Sequence, residues 1–301
     1  MKVLVSGSTG FLGSALVEFL KRQDHEVVRL VRQKAGTPEQ EVVWQPNRGE
    51  LDVTALQGLE AAIHLAGENL FSLRWTADKK QRIRDSRVNG TKLLSSALAE
   101  LDPKPRVLIS ASAIGFYGDR GDEVLDEDSL PADSFLANVC RDWEAATGAA
   151  KDAGIRVVNL RLGVVLHTKG GALKTMLPAF RLGAGGVVGP GTQYFSWIER
   201  EDCFNAMQFC LLHEELAGPV NATAPNPVTN REFTQTLSEE LKRPARIPVP
   251  AGGVKLLFGQ MGEEMLLASA RVVPKRLKEH GFEFRFGHVQ PALHHLLQKP
   301  E

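Results

Sequence analysis

The stretch Gly7-Ser8-Thr9-Gly10-Phe11-Leu12-Gly13 sets three glycines three apart, between an apolar run and an amphipathic one. Between a strand and a helix, such a turn holds phosphate. The first glycine permits the tight turn, and the second lets backbone approach pyrophosphate oxygens. The third lets the helix pack closely on the strand, with its N-terminus facing the negative charge. Gly7, Thr9, Gly10, Phe11, Leu12 and Gly13 are therefore the expected cradle of a dinucleotide, in a G-x-x-G-x-x-G variant of the usual spacing. At the end of the second expected strand a carboxylate would bond the ribose 2′-hydroxyl of NAD, but the chain has Val31-Arg32-Gln33-Lys34. A guanidinium can bond two oxygens of a 2′-phosphate at once, so Arg32 points to NADP(H) in preference to NAD(H).

Groups able to move a proton are few. Tyr117 follows an expected strand at its carboxyl end. It is either a substitute acid or a packing tyrosine with its hydroxyl on backbone, and no cation close in sequence would lower its pKa from ~10. Cys140 lies inside a helical pattern and reads as an inert core thiol. Glu68 stands just beyond an apolar strand, at the edge where ligands bind in open α/β sheets, and either bonds substrate or caps the next helix. Arg161 ends its strand at the same edge and is an expected ligand contact. Arg74 and Trp75 form either a lid or a surface loop anchored by one indole. The acidic run from Asp119 to Asp128 reads as a solvated loop rather than a metal site, since no histidine accompanies it. His294 and His295 read as a polar helix end.

The elements that must position these groups follow from the hydrophobic pattern. Short apolar runs at Val3–Ser6, Val27–Val31, Ala61–Ala66, Val107–Ser112 and Val157–Leu160 alternate with longer helical stretches, as in stacked βαβ units. Helices are expected over Phe11–Lys21, Thr76–Leu101 and Leu136–Lys151. After Arg161 the glycine-rich "TKGGALKTMLPAFRLGAGGVVGPGTQ" suggests loops over a cleft, and Gly218–Thr223 suggests a strand returning to the sheet. Phe282, Phe284 and Phe286 alternate at strand spacing. The expected fold is α/β, a Rossmann-type doubly wound parallel sheet with a smaller discontinuous C-terminal substrate domain. Residues 1–167 plus 192–230 would form the NADP-binding part, and 168–191 plus 231–301 the cap.

Bulk composition excludes other classes. The 36 basic and 36 acidic residues balance, leaving no global field for nucleic acid or a membrane surface. No apolar run approaches the ~20 residues of a membrane span. The three cysteines contain no C-x-x-C, which argues against a disulfide framework or a zinc site. No leader segment is apparent, and a soluble cytoplasmic protein is expected.

The glycine turn, then "IHLAG" (Ile63–Gly67), then "SASAIGFYG" (Ser110–Gly118) resemble the extended short-chain dehydrogenase/reductases, the NAD(P)-dependent epimerase/dehydratase-like proteins. "LAGENLFSLRWT", "RDSRVNGT", "LRLGVVL", "MLPAFRLGAGG", "FSWIEREDC", "NATAPNPVTNREF" and "RVVPKRLKEHGFEF" extend the resemblance over essentially the whole chain. They look like one epimerase-family branch, whose members are sometimes labelled cell-division inhibitors. The resemblance implies cofactor contacts at His64, Leu65, Ala66, Gly67 and Ser86, a substrate-orienting serine at Ser112, and a substrate contact at Arg87. Dimerisation through two helices of the nucleotide-binding half is a further expectation from it.

The chain also departs from that pattern. The family's acid–base work is done by Tyr-x-x-x-Lys, yet four residues after the two tyrosines stand Gly121 and Ile198. Aligned on the family's Y-x-x-x-K-x-x-x-E helix, "FLANVCRDWE" places Leu136 and Cys140 where tyrosine and lysine belong. Arg87 replaces an asparagine, and Glu199 stands where the branch has histidine. Two readings follow. One is an NADP(H)-dependent oxidoreductase or epimerase-like protein acting on a small hydroxyl or carbonyl compound, with Ser112 and either Tyr117 or a water in place of the missing acid. The other is a cofactor-bound sensor that has lost catalysis.

Overall fold

The computed structural model describes residues 1–36, 39–71 and 73–298. An eight-stranded sheet forms its centre. In chain order its strands are β1 (Lys2–Ser6), β2 (Glu26–Val31), β3 (Gln40–Gln45), β4 (Glu50–Leu51), β5 (Ala61–His64) and β6 (Val107–Ala113), with β7 (Val124–Leu125) lying outside it. The sheet continues with β8 (Arg156–Leu162) and, after the outlying β9 (Val164–Leu166), β10 (Tyr194–Phe195) and β11 (Trp197–Glu199), closes with β12 (Gly218–Ala222). The order across the sheet is β12-β8-β6-β5-β1-β2-β3-β4, parallel throughout except for β4, which runs antiparallel to β3. The chain winds outward from β1 through β2 and β3, then returns to β5 on the other side of β1. That reversal opens a crevice between the loops that follow β1 and β5, where doubly wound sheets bind nucleotides.

Helices α1 (Phe11–Arg22), α2 (Ala77–Ala99), α3 (Phe135–Ala145) and α4 (Gly148–Asp152) belong to this half of the chain. They are followed by α5 (Gly171–Arg181), α6 (Arg200–Leu212), α7 (Asn230–Leu241) and α8 (Ala251–Phe258). Leu16, Leu20, Phe204 and Met207 of α1 and α6 cover one face of the sheet, and Leu94, Leu98 and Ala150 of α2 and α4 the other. Strands such as β1 and β5, buried on both faces, therefore have to be apolar along their length. A third cluster joins Leu173, Leu177, Phe233, Leu237 and Leu293 beyond the carboxyl edge.

Three expectations are corrected and one strand is added. The apolar pattern does not show strand β3; its buried Val42 and Trp44 flank the exposed Val43, with Glu41 and Gln45 on the same side as Val43. The stretch from Leu136 to Lys151 is two helices, α3 and α4. The glycine-rich segment holds a true helix, α5, with Pro178 inside it. The Phe282–Phe286 alternation is not a strand; the amides of Arg285 and Phe286 donate to the Asp202 carboxylate instead (3.1 and 2.8 Å).

Candidate functional site

The cradle lies at the crevice. Gly7 has φ +67°, a conformation L side chains rarely adopt, and a Cβ there would stand 2.8 Å from the carbonyl carbon of Leu65. A Cβ on Gly13 would stand 2.2 Å from the Gly7 oxygen. Glycine at both positions thus lets the loops after β1 and β5 touch while α1 packs beneath them. Gly10 precedes α1 without a side-chain cap, so the first-turn N–H groups are offered to an anion. The loop over Leu65–Gly67 is fixed by Ser6, whose Oγ accepts from the amides of Leu65 (3.1 Å) and Ala66 (3.4 Å) and bonds His64 Nδ1 (2.6 Å). His64 itself is completely buried, and burial pushes its pKa down to about 4. Its ring therefore shapes the loop from below rather than touching a ligand. The Phe11 ring is covered by the turn after β9, where a Cβ on Gly170 would come within 2.0 Å of it. Arg32 is exposed at the end of β2, and its guanidinium has no partner among the described residues. Arg29, nearby, is tied to Glu39 and Glu41 (3.6 and 4.0 Å).

At the carboxyl ends of β6 and β8 stands a buried polar network. Ser112 Oγ donates to Glu144 Oε1 at 2.6 Å. Arg161 grips the same carboxylate with Nε (2.8 Å) and Nη2 (2.9 Å), and its Nη1 donates to the Tyr117 hydroxyl (3.0 Å). Tyr117 in turn donates to Asn221 Oδ1 (2.7 Å), and the Arg161 guanidinium lies 3.5 Å above the Phe116 ring. Tyr117 is fully buried, and burial pushes its pKa up to about 12 despite the neighbouring guanidinium. A phenol so buried does not face a substrate, so its surroundings favour the packing tyrosine over the substitute acid. Arg161, also buried, is spent within the network and is not a ligand contact in this arrangement. Leu136 and Cys140 stand on the neighbouring face of α3, and burial pushes the Cys140 thiol up to about 11.

The third group flanks β5 on its α2 side. Ser86 Oγ accepts from the Glu68 amide (2.9 Å) and donates to the Ile83 carbonyl (3.1 Å). The Glu68 carboxylate pairs with Lys79 (2.8 Å) and Arg82 (3.8 Å), which together hold it below the usual carboxylate range. Thr76, not Glu68, caps α2. Arg87 is buried against Gly67 and Trp143. The Trp75 indole is anchored on the Leu70 carbonyl (2.8 Å), and Arg74 bonds the carbonyls of Leu256 and Leu257 in α8.

Glu144 and Asn221, which complete the network, were not singled out from sequence. Glu144 had a signal, being a lone acid on the apolar stripe Leu136, Val139, Cys140 and Trp143. Asn221 had none beyond lying inside an apolar strand. The acidic run is also more than a solvated loop. Glu127 is buried and accepts from the amides of Asn221 (2.9 Å) and Arg276 (3.3 Å), pinning the C-terminal region to the sheet edge.

Comparison with known proteins agrees with this architecture. Residues 3–222 match the NAD dependent epimerase/dehydratase family, and residues 249–296 match a domain of unknown function, DUF1731. An epimerase family protein of Mycobacterium bovis is 42% identical over 298 residues, covering 99% of this chain and 98% of that protein. The human epimerase family protein SDR39U1 is 36% identical over 296 residues, covering 97% and 98%. A crystal structure of the human protein with NADPH superposes with a TM-score of 0.91 at 34% identity, covering 100% of both chains. A nucleoside-diphosphate sugar epimerase from Corynebacterium glutamicum gives a TM-score of 0.81 at 37% identity over 99% of this chain and 58% of that one. With the crevice, the glycine cradle and these matches in agreement, the chain belongs to the NAD dependent epimerase/dehydratase family.

Proposed function

We propose that this protein binds NADP(H) and acts as an oxidoreductase on a small hydroxyl or carbonyl compound, without a protein group as proton donor. The reading is carried by one observation. The positions of the family's tyrosine and lysine are Leu136 and Cys140, and the polar groups beside them, Ser112, Glu144, Arg161 and Tyr117, are engaged with one another. The cofactor, when bound, supplies or accepts the hydride. The N-terminus of α1 would hold the pyrophosphate, and Arg32 the 2′-phosphate. NADPH in the human relative supports that cofactor choice. Ser112, as buried as Tyr117, gives its only hydrogen to Glu144, so it would shape the floor of the site from within the network rather than polarise a carbonyl. The proton then comes from water.

The self-satisfied network also favours a second reading, a cofactor-bound sensor without turnover. Single-turnover absorbance of NADPH against a panel of carbonyl compounds separates the two. The oxidoreductase reading expects oxidation by some member at a rate nearly flat between about pH 6 and pH 9, because Tyr117 and Cys140 are pushed well above that window and His64 below it. A rate following one ionisation in that window would contradict the water-supplied proton. Tight NADPH binding with no oxidation across the panel would favour the sensor.

A further inference from the structure

Arg87 is a largely buried cation that, among the described residues, has no carboxylate in contact and feels Glu68 only at longer range. It is 9% exposed, on the face of α2 turned to the crevice loop. Its Nη1 donates to the carbonyls of Glu68 and Ile83, each at 3.1 Å. The guanidinium lies 5.0 Å from the centre of the Trp143 ring, and a Cβ on Gly67 would stand 3.3 Å from its Cζ. Its Nε and Nη2 donate to no protein group among the described residues and stay in reach of solvent, and no carboxylate oxygen there lies within ion-pair distance of it. The nearest acid in sequence, Glu68, has its carboxylate committed to Lys79 and Arg82. Arg161, comparably buried, has its fork filled by Glu144. A guanidinium largely removed from water needs its N–H groups and its charge answered, and here the chain answers Nη1 with two carbonyls and brings no carboxylate into contact.

An anion could come from the cofactor or from the substrate. The cofactor's phosphates already have the α1 N-terminus and Arg32, on the β1–β2 side of the crevice. Arg87 stands on the opposite side, next to the end of β5, where the nicotinamide half of a dinucleotide lies if its 2′-phosphate is at Arg32. From Arg87 the facing sides of α2 and α3 continue into an apolar cluster that includes Trp75, Ile83, Leu136, Val139 and Met261. We infer that Arg87 binds a carboxylate of the substrate, which makes the substrate class a hydroxy or oxo acid with an apolar body. This rests on the oxidoreductase reading above and narrows it.

The test uses the whole protein saturated with NADP(H) and the matched probes benzoate and benzamide, with binding measured by calorimetry. Benzoate is expected to bind at least about tenfold more tightly than benzamide, the return from a charge-assisted pair out of water. Arg87→Gln should erase that preference while the Kd for NADPH changes by less than about threefold, and Arg87→Lys should keep part of it. Equal binding of the two probes to the wild type, or a preference that survives Arg87→Gln, would overturn the inference, and the wild-type comparison needs no variant to fold. Arg87→Gln weakening NADPH tenfold or more would assign the guanidinium to a cofactor phosphate instead. Failure of the wild type to bind NADPH is a separate result, which removes the oxidoreductase reading and this inference with it.

Discussion

Replacing Tyr117 by phenylalanine separates a structural tyrosine from a catalytic one. The phenol donates to Asn221 (2.7 Å) and accepts from Arg161 (3.0 Å), with its ring fully buried. Removing the oxygen leaves the Asn221 carbonyl and one guanidinium N–H without partners in a region closed to water. A neutral hydrogen bond contributes about 1 kcal/mol and one to a charged group about 1.5–3, so the loss should total about 2.5–4 kcal/mol. Urea unfolding followed by circular dichroism should show this as a lowered midpoint with an unchanged slope. NADPH affinity should stay within about threefold of wild type, and so should any NADPH oxidation the protein supports. The reasoning would be refuted by the reverse pattern. Unaltered stability with turnover lowered about a hundredfold would make Tyr117 the missing acid after all.

Three further perturbations bear on the same account. Glu199 caps α6 from a buried position, and burial pushes its pKa up from 4.5 to about 7. Its folded form thus prefers the proton, and stability should fall by up to about 3 kcal/mol as pH rises from 4.5 through 7. Glu199→Gln should flatten that slope in thermal melts and stabilise the protein at pH 8. Glu144→Gln leaves the Arg161 charge buried against a neutral amide and should cost about 3–5 kcal/mol in chemical unfolding, partly recovered by adding Arg161→Met. A Cβ at residue 13 would meet Gly7 backbone rather than a flexible side chain, so Gly13→Ala should weaken NADPH binding by at least about tenfold in fluorescence titration.

What was legible in the sequence divides along physical lines. Strands β1, β5 and β6 are buried on both faces and so had to be written as apolar runs. Strand β3 is covered on one face only, and its Glu41 and Gln45 masked it. Helix α5 was hidden by Pro178 and its flanking glycines, although Leu173, Leu177 and Phe180 keep helical spacing. The phenylalanines near the C-terminus misled because their rings enter separate cores: Phe282 meets Phe209 at 5.3 Å, whereas Phe286 joins the cluster around Phe233. In the site, the glycine turn is local and its geometry could be foreseen from spacing alone. The pairings of Tyr117 with Asn221 and of Ser112 with Glu144 join distant parts of the chain, and no local pattern encodes them. That is why a tyrosine at a strand's carboxyl end could pass for an acid.

We propose above that the crevice takes NADP(H) through the glycine cradle and Arg32. Calorimetric titration of the wild type and Arg32→Ala with NADPH and NADH tests it most directly. The account predicts that the wild type binds NADPH at least about tenfold more tightly than NADH, and that Arg32→Ala brings the two together by weakening NADPH alone. Equal affinities in the wild type, or a preference for NADPH that persists in Arg32→Ala, would contradict it.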